Sequence, residues 1–522
     1  MLTRIAFLLT AFALAAAAQL DRIEGERIRA HVRFLADDLL EGRAPGTRGG
    51  ALAERYIAAQ LAAAGVAPAA PDGTYLQRVP LKQVEILPAP ALTVSRGGQS
   101  LQLEWLEEFV GHSHLQRPEV SLDAEAVFVG HGIRAPEYNW DDYAGADVRG
   151  KLVVLFTNEP PSTDPKFFGG PALTYYGRWT YKYEEALRQG AAAVLIVHTD
   201  ATAGYGYHVV KANGRPQPQV GRAGEAPALT FAGWMTQAAG QKLFQLAGQS
   251  VEALLKRAGT RGFRAMPLGL RVRLNLKNRI TDMETYNVVG KVEGSGAADE
   301  AVVFSAHWDH LGVGEAVNGD TIYNGALDNA TGCAMLIEMA RAWASLEPKP
   351  RRTALFVAVT AEESGLLGSD YFAKHPVIPA ARIAGAFNFD TYSPLGRVRD
   401  AVLIGAERLP FYSLIQSVAE RHQLSLKPDP RPGQGSYFRS DHFSFAKVGI
   451  PAVSVGMGSE RAAPLSPALE ALSKRLQGTY HQPTDEYTED WDFAGLEQFA
   501  RFGFTLGLEV ANLERLPARI QP

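Results

Sequence analysis

Cysteine is all but absent from this chain of 522 residues: Cys333 stands alone, so no intrachain disulfide can form and no cysteine-rich zinc site can be built. Its setting, Cys333-Ala-Met-Leu-Ile-Glu-Met-Ala340, is an apolar helical stretch, which suits a small core residue and argues against a cysteine nucleophile. An excess of charge of one sign is missing too. The 52 Lys and Arg nearly offset the 56 Asp and Glu, leaving a formal net charge of −4, and no long basic run occurs. The electrostatic footprint of a nucleic-acid binder is therefore lacking. Beyond the first twenty residues no segment is long and apolar enough to span a bilayer. The chain also lacks the His-Glu-x-x-His, Gly-x-Ser-x-Gly, P-loop and dinucleotide glycine signatures, and no internal repeat is visible.

What is present begins with a leader. Arg4 precedes an apolar run, Ile5 to Ala18, and polar Gln19-Leu-Asp-Arg22 follows. This is the pattern of a secretory signal, residues 1–18, cleaved after Ala18; the run is shorter than the roughly 20 residues of a spanning anchor. Export is expected, to the periplasm or beyond, with no stable membrane insertion after cleavage. An apolar fraction of 46% and a charged fraction of 21% are those of a soluble globular protein, and the length exceeds one core.

Three stretches of different texture follow, divided as 19–121, 122–285 and 286–522. The first opens on helical sequence, passes through the turn-rich Arg43-Ala-Pro-Gly-Thr-Arg-Gly-Gly50 and continues in a helix that Gly65 stops. The second reads as short strands broken by Gly and Pro, with one helix among them. The third alternates strand, loop and helix, which predicts a mostly parallel sheet covered by helices, an α/β fold. Its apolar runs 302–306, 353–360 and 383–389 read as strands covered on both faces. They end at His307, at Glu362-Glu363 and at Asp390. Open parallel sheets bind ligands at the carboxyl ends of their strands, so these residues are brought to one place.

Imidazoles and carboxylates at such an edge suit divalent zinc. Two ions about 3.5–4 Å apart can share a hydroxide and stabilise the oxyanion formed when an amide is attacked. Taken singly, each residue also has an ordinary reading. His307 can pair with Asp309, Asp328 can cap its helix, Glu362-Glu363 can open a helix, Asp390 can start a turn and His481 can sit in a loop.

Five motifs occur in order: His307-Trp-Asp309-His310-Leu-Gly, Asn324-Gly-Ala-Leu-Asp328-Asn-Ala-Thr-Gly332, Thr360-Ala-Glu362-Glu363-Ser-Gly-Leu-Leu-Gly368, Asn388-Phe-Asp390 and His481-Gln-Pro-Thr-Asp485. Together they resemble the co-catalytic di-zinc aminopeptidase family, with its secreted bacterial leucyl aminopeptidases and glutamate carboxypeptidase relatives. The resemblance implies a zinc exopeptidase fold, two Zn ions and a peptide substrate. By the same resemblance Asp328 bridges the ions, His307 and Asp390 complete one shell, and Glu363 and His481 complete the other. Glu362 is then the general base, and Asp309 orients His307. Ser440-Asp441-His442 is similar to a segment lining the substrate pocket, where His442 either touches substrate or helps the oxyanion; the alternative is a capped loop. Leu327 departs from the polar residue that many relatives place before the bridging aspartate.

The implied activity is removal of N-terminal residues from peptides. Alternatives on the same fold are a carboxypeptidase, a glutaminyl cyclase using one zinc, and a receptor-like relative without turnover; loss of ligands would mark the last, and none is lost. The middle stretch, 122–285, resembles an inserted, β-rich protease-associated domain. Its cues are Val127-Phe-Val-Gly-His-Gly-Ile133, Gly150-Lys-Leu-Val-Val-Leu-Phe156 and the passage from Glu184 to Ile196. It divides a peptidase domain into a first part, 19–121, and a catalytic part, 286–522, and serves either as a stabilising insertion or as a lid. His112-Ser-His114 belongs to none of the motifs and is read as a surface loop.

Overall fold

A computed structural model describes residues 20–199, 203, 206–211, 214, 216–221 and 227–521; the expected leader lies outside them. The chain forms two compact units: one of 1–80, 284–430 and 439–522, the other of 81–283 and 431–438.

The first unit is built on one sheet. Its main strands are β1 (Tyr286–Val292), β2 (Ala297–His307), β3 (Arg352–Val359), β4 (Ile383–Asn388), β5 (Asp400–Ile404) and β6 (Ala452–Met457), arranged in the order β1-β3-β2-β4-β6-β5. The inner four run parallel, and β1 and β5 are antiparallel to their neighbours. Every residue of β3 and β4 is buried, as strands covered on both faces require. Helices α1 (Gly25–Leu35), α2 (Arg48–Ala63), α3 (Thr331–Ala344) and α6 (Ala494–Ala511) share one hydrophobic core with alternate residues of the sheet, among them Val302, Phe304, Phe356 and Phe387. The opposite face takes α4 (Leu367–Lys374) and α5 (His442–Lys447).

Glycine inside a helix weakens it by about 1 kcal/mol, yet α6 carries Gly503 and Gly507 in its interior. Contact with the sheet explains both. A Cβ on Gly507 would lie 2.1 Å from Phe304, and one on Gly503 would lie 2.4 Å from Phe389. Small residues let the helix lie directly on the rings beneath the carboxyl ends of β2 and β4.

The second unit also centres on four parallel strands, 119–128, 152–156, 193–197 and 231–235. The long strand Met266–Met283 runs beside them. Its Leu268, Leu270, Val272, Leu274 and Leu276 turn inward while the residues between them stay exposed. The expected division at 122 falls inside this unit. Leu81–Ile86 pairs with 278–283, 92–95 with 271–274, and 109–112 with 232–235. Residues 81–121 are therefore bound by backbone pairing to strands that lie more than a hundred residues further along. His112 ends an edge strand of this unit, with its Nε2 3.1 Å from that of His114.

Glu54 of α2 shows how the first unit is tied together. Its carboxyl accepts from the Tyr286 amide at 2.8 Å and from the Thr285 hydroxyl at 3.2 Å, joining α2 to the start of β1. Burial pushes its pKa from 4.5 up to about 7. Between those values the folded protein keeps a proton that the unfolded chain has released, so stability falls as pH rises through the window, in full by on the order of 3 kcal/mol. Glu54→Gln cannot ionise and loses this dependence. Thermal melts should show the variant gaining on the parent between pH 5 and pH 8; a difference independent of pH would mean that Glu54 is not a buried, protonated acid.

Candidate metal centre

Parallel pairing sets the site. In register, His307 at the end of β2 lies opposite Val359, and Ser305 lies opposite Asn388, so Glu362-Glu363 and Asp390 emerge beside His307 at one edge of the sheet. Asp328 comes from the irregular turn 326–330 that leads into α3, and its φ of −110° and ψ of 92° turn the carboxylate out of the helical path. Asp485 holds that turn: its carbonyl accepts from the Ala326 amide, and its carboxylate accepts from the amides of Leu327 at 2.8 Å and Asp328 at 3.1 Å.

The side chains converge in two sets. Nε2 of His307 is 3.1 Å from one oxygen of Asp328 and 3.3 Å from Oδ1 of Asp390. Nε2 of His481 is 3.6 Å from the other oxygen of Asp328 and 2.9 Å from Oε2 of Glu363. Asp328 thus offers one oxygen to each set. Tetrahedral zinc with bonds of roughly 2.0–2.2 Å spaces its donors about 3.3–3.6 Å apart, and the observed separations bracket that value. Among the described residues, His307, Asp328 and Glu363 place ligand atoms within 4.8 Å of one another, and so do His307, Glu362 and Asp390. Glu362 therefore reaches the His307–Asp390 side of the cage.

Asp309 is placed differently from expectation. Nδ1 of His307 meets the backbone carbonyl of Asp309 at 3.1 Å, whereas the carboxylate is 3.9 Å away. The Asp309 carboxylate instead accepts the Glu362 amide at 3.0 Å and the Glu363 amide at 3.4 Å. It fixes the loop that carries both glutamates, and its backbone sets the tautomer of His307. The Ser440 side chain also serves the cage: its hydroxyl donates to Oδ2 of Asp390 at 2.6 Å and accepts from Asn388 at 2.8 Å. Asp441 and His442 are fully buried beside it, so the segment read as pocket lining underlies the ligands. His310 adds a further buried contact, Nδ1 to Glu363 at 2.7 Å.

The electrostatics follow from acids gathered where water is scarce. Burial, with Glu363, Asp441 and Asp390 nearby, pushes the Glu362 carboxyl well above its ordinary range. Burial raises Asp309 and Asp441 to about 7 and Asp485 to about 6. Asp328 moves the other way: burial opposes ionisation, but His307 and His481 outweigh it. For His481 burial disfavours charge, yet Glu363 and Asp328 hold the ring at about 10; His307 is likewise held well above its ordinary value. An interior this rich in carboxylates requires protons or metal cations in compensation. The donor set of imidazole nitrogen and carboxylate oxygen is that of zinc.

Comparison with known proteins agrees. Residues 287–502 match Peptidase family M28. The resemblance read in the five motifs is borne out by that match. Over 112 residues the chain is 31% identical to Aminopeptidase NAALADL1 of Mus musculus, covering 21% of this chain and 14% of that protein. Over 104 residues it is 35% identical to a probable zinc metalloprotease of Pyricularia oryzae, covering 20% of each. The matched stretches thus span a fifth or less of these relatives. The solved structure of an aminopeptidase from Aneurinibacillus sp. strain AM-1 aligns over 96% of both chains with a TM-score of 0.51 and 20% identity, and shares the α/β fold.

Zinc must displace the protons that the metal-free cage holds on His307 and His481 at neutral pH. Loading the metal-free protein with zinc at pH 7 should release at least about two protons per chain, those of His307 and His481 with any that the neighbouring acids give up, and zinc affinity should climb with pH until His481 titrates at about 10. Calorimetry in buffers of different ionisation enthalpy measures this; enthalpies independent of buffer would show imidazoles that are already neutral.

Proposed function

We propose that the protein is an exported, two-zinc aminopeptidase. One observation carries the reading: the two oxygens of Asp328 face separate ligand sets, His307 with Asp390 and Glu363 with His481. A single-zinc site, as in the glutaminyl cyclase alternative, needs no such division. Zinc bound there supplies Lewis acidity, bringing the pKa of a held water towards neutrality and offsetting negative charge on the substrate carbonyl.

The remaining steps belong to the chain's own side chains. Glu362 brings a carboxylate oxygen within 4.8 Å of the ligand atoms of His307 and Asp390, the neighbourhood from which a general base would act on a water held there. As a carboxylate it would take a proton from the held water and return it to the departing amine. Asp309 holds Glu362 and Glu363 at a fixed spacing through their amides. Ser440 keeps one oxygen of Asp390 engaged and leaves the other turned to His307.

The second unit is read as the inserted protease-associated domain. Supporting this, the chain leaves the first unit after Pro80 and rejoins it at Glu284, and both metal-ligand groups among the described residues lie in the first unit. Export rests on the leader sequence. Among the described residues no helix is long and apolar enough to cross a membrane.

Elemental analysis should find two zinc ions per chain, and EDTA should abolish release of residues from peptides with free N-termini. Glu362→Gln should retain both metals while losing at least about a hundredfold in kcat. Hydrolysis of N-blocked peptides alone would replace the aminopeptidase by a carboxypeptidase, and near-parental turnover by the variant would remove Glu362 as the base.

A further inference from the structure

Arg43 lies outside the segment that matches the peptidase family, yet it is 1% exposed beneath the metal cage. Four of its five N–H groups reach backbone carbonyls on three separate pieces of chain. Nε donates to Trp308 at 2.9 Å, Nη2 to Gly325 at 2.9 Å, and Nη1 both to Asn324 at 2.5 Å and to Leu35. The Arg43 carbonyl in turn accepts the His310 amide at 3.4 Å. Trp308 follows the ligand His307, and Asn324-Gly325 open the turn that presents Asp328. The guanidinium is a rigid planar fork, so it fixes the separation of the carbonyls it binds; an ammonium with three donors on a flexible stem cannot span all four.

We propose that Arg43 is a positioning residue for the metal cage. It holds the His307 loop and the Asp328 turn at the spacing their donors need to share an ion, and thereby sets zinc affinity. The inference rests on the two-zinc reading and adds that the N-terminal segment completes the site.

Arg352 provides the control. It is an equally buried guanidinium of the same unit, bonded to Glu300 at 2.7 Å and to the carbonyls of Ala511 and Leu513, but it starts β3 at the end of the strand remote from the ligands. Arg43→Lys and Arg352→Lys are prepared metal-free. Their melting temperatures, their zinc dissociation constants by competition with a chromophoric chelator, and the visible spectra of their cobalt(II) forms are compared with the parent. Arg43→Lys should fold, bind zinc at least about tenfold more weakly and show an altered cobalt spectrum, the scale seen when groups that orient metal ligands are changed. Arg352→Lys should lower the melting temperature while leaving zinc affinity and the cobalt spectrum at parental values. The inference is overturned by a folded Arg43→Lys with parental affinity and spectrum, or by an equal loss of affinity in Arg352→Lys. It is also overturned if Arg43→Lys fails to fold while Arg352→Lys folds, since Arg43 is then structural only. A parent that binds no zinc sinks the two-zinc reading itself.

Discussion

Compensation of buried negative charge governs this molecule. Asp309, Asp328, Glu362, Glu363, Asp390 and Asp441 meet at one edge of a sheet, against three imidazoles and the Arg43 guanidinium. Without a cation the balance is struck with protons: Glu362, Asp309 and Asp441 are pushed towards their neutral forms, and His307 and His481 are held charged. Dications serve the same need while freeing the imidazoles to ligate. The features that draw in metal are thus the ones that hold protons in its absence.

Such a cluster can exist only on a scaffold that resists repulsion among its parts. Parallel strands bring the ligand loops to one level, and backbone hydrogen bonds then lock each loop to another. Asp485 joins the His481 loop to the Asp328 turn. The Asp309 carboxylate joins the His307 loop to Glu362-Glu363. Ser440 ties Asp390 to the helix on the opposite face. Beneath these, α6 lies close on Phe304 and Phe389 because Gly503 and Gly507 carry no side chain. Charge supplies the chemistry, and packing under the strand ends keeps it in place.

The metal cage is legible in the sequence because strand ends and ligands coincide: a wholly apolar run stops, and His, Glu or Asp follows at once. Three such places, with the motifs around Asp328 and His481 in a fixed order, point to the donors that the structure gathers. Other features are hidden for definite reasons. Residues 81–121 join the second unit through pairing with strands such as Met266–Met283, and partners so distant leave no local signal. Arg43 sits in a glycine-rich turn, where a basic residue ordinarily faces solvent; its partners are carbonyls, which no residue pattern reveals. Asp309 was legible as a neighbour of His307, but the choice between its carboxylate and its backbone as the partner of Nδ1 depends on loop geometry. Ser440 lay within a recognised segment, and only the fold turns its hydroxyl to Asp390.

Protein contacts hold the strained backbone beside the cage. Ala361, Thr391 and His481 have φ of 53°, 59° and 56°, a left-handed region that glycine would occupy freely. Each costs about 1 kcal/mol or more, and such conformations persist only where the surroundings over-determine them. Two of the three have visible reasons not to be glycine: His481 is itself a donor, and the Thr391 hydroxyl bonds Oδ1 of Asp390 at 3.0 Å. All three are held by bonds internal to the protein. Glu362, following Ala361, is fixed through its amide by Asp309; the Thr391 amide donates to Asn329; and Gln482, following His481, donates to Thr479. Strain at these positions is thus met by hydrogen bonds within the protein, which fix where the side chains of Glu362, Asp390 and His481 leave their loops.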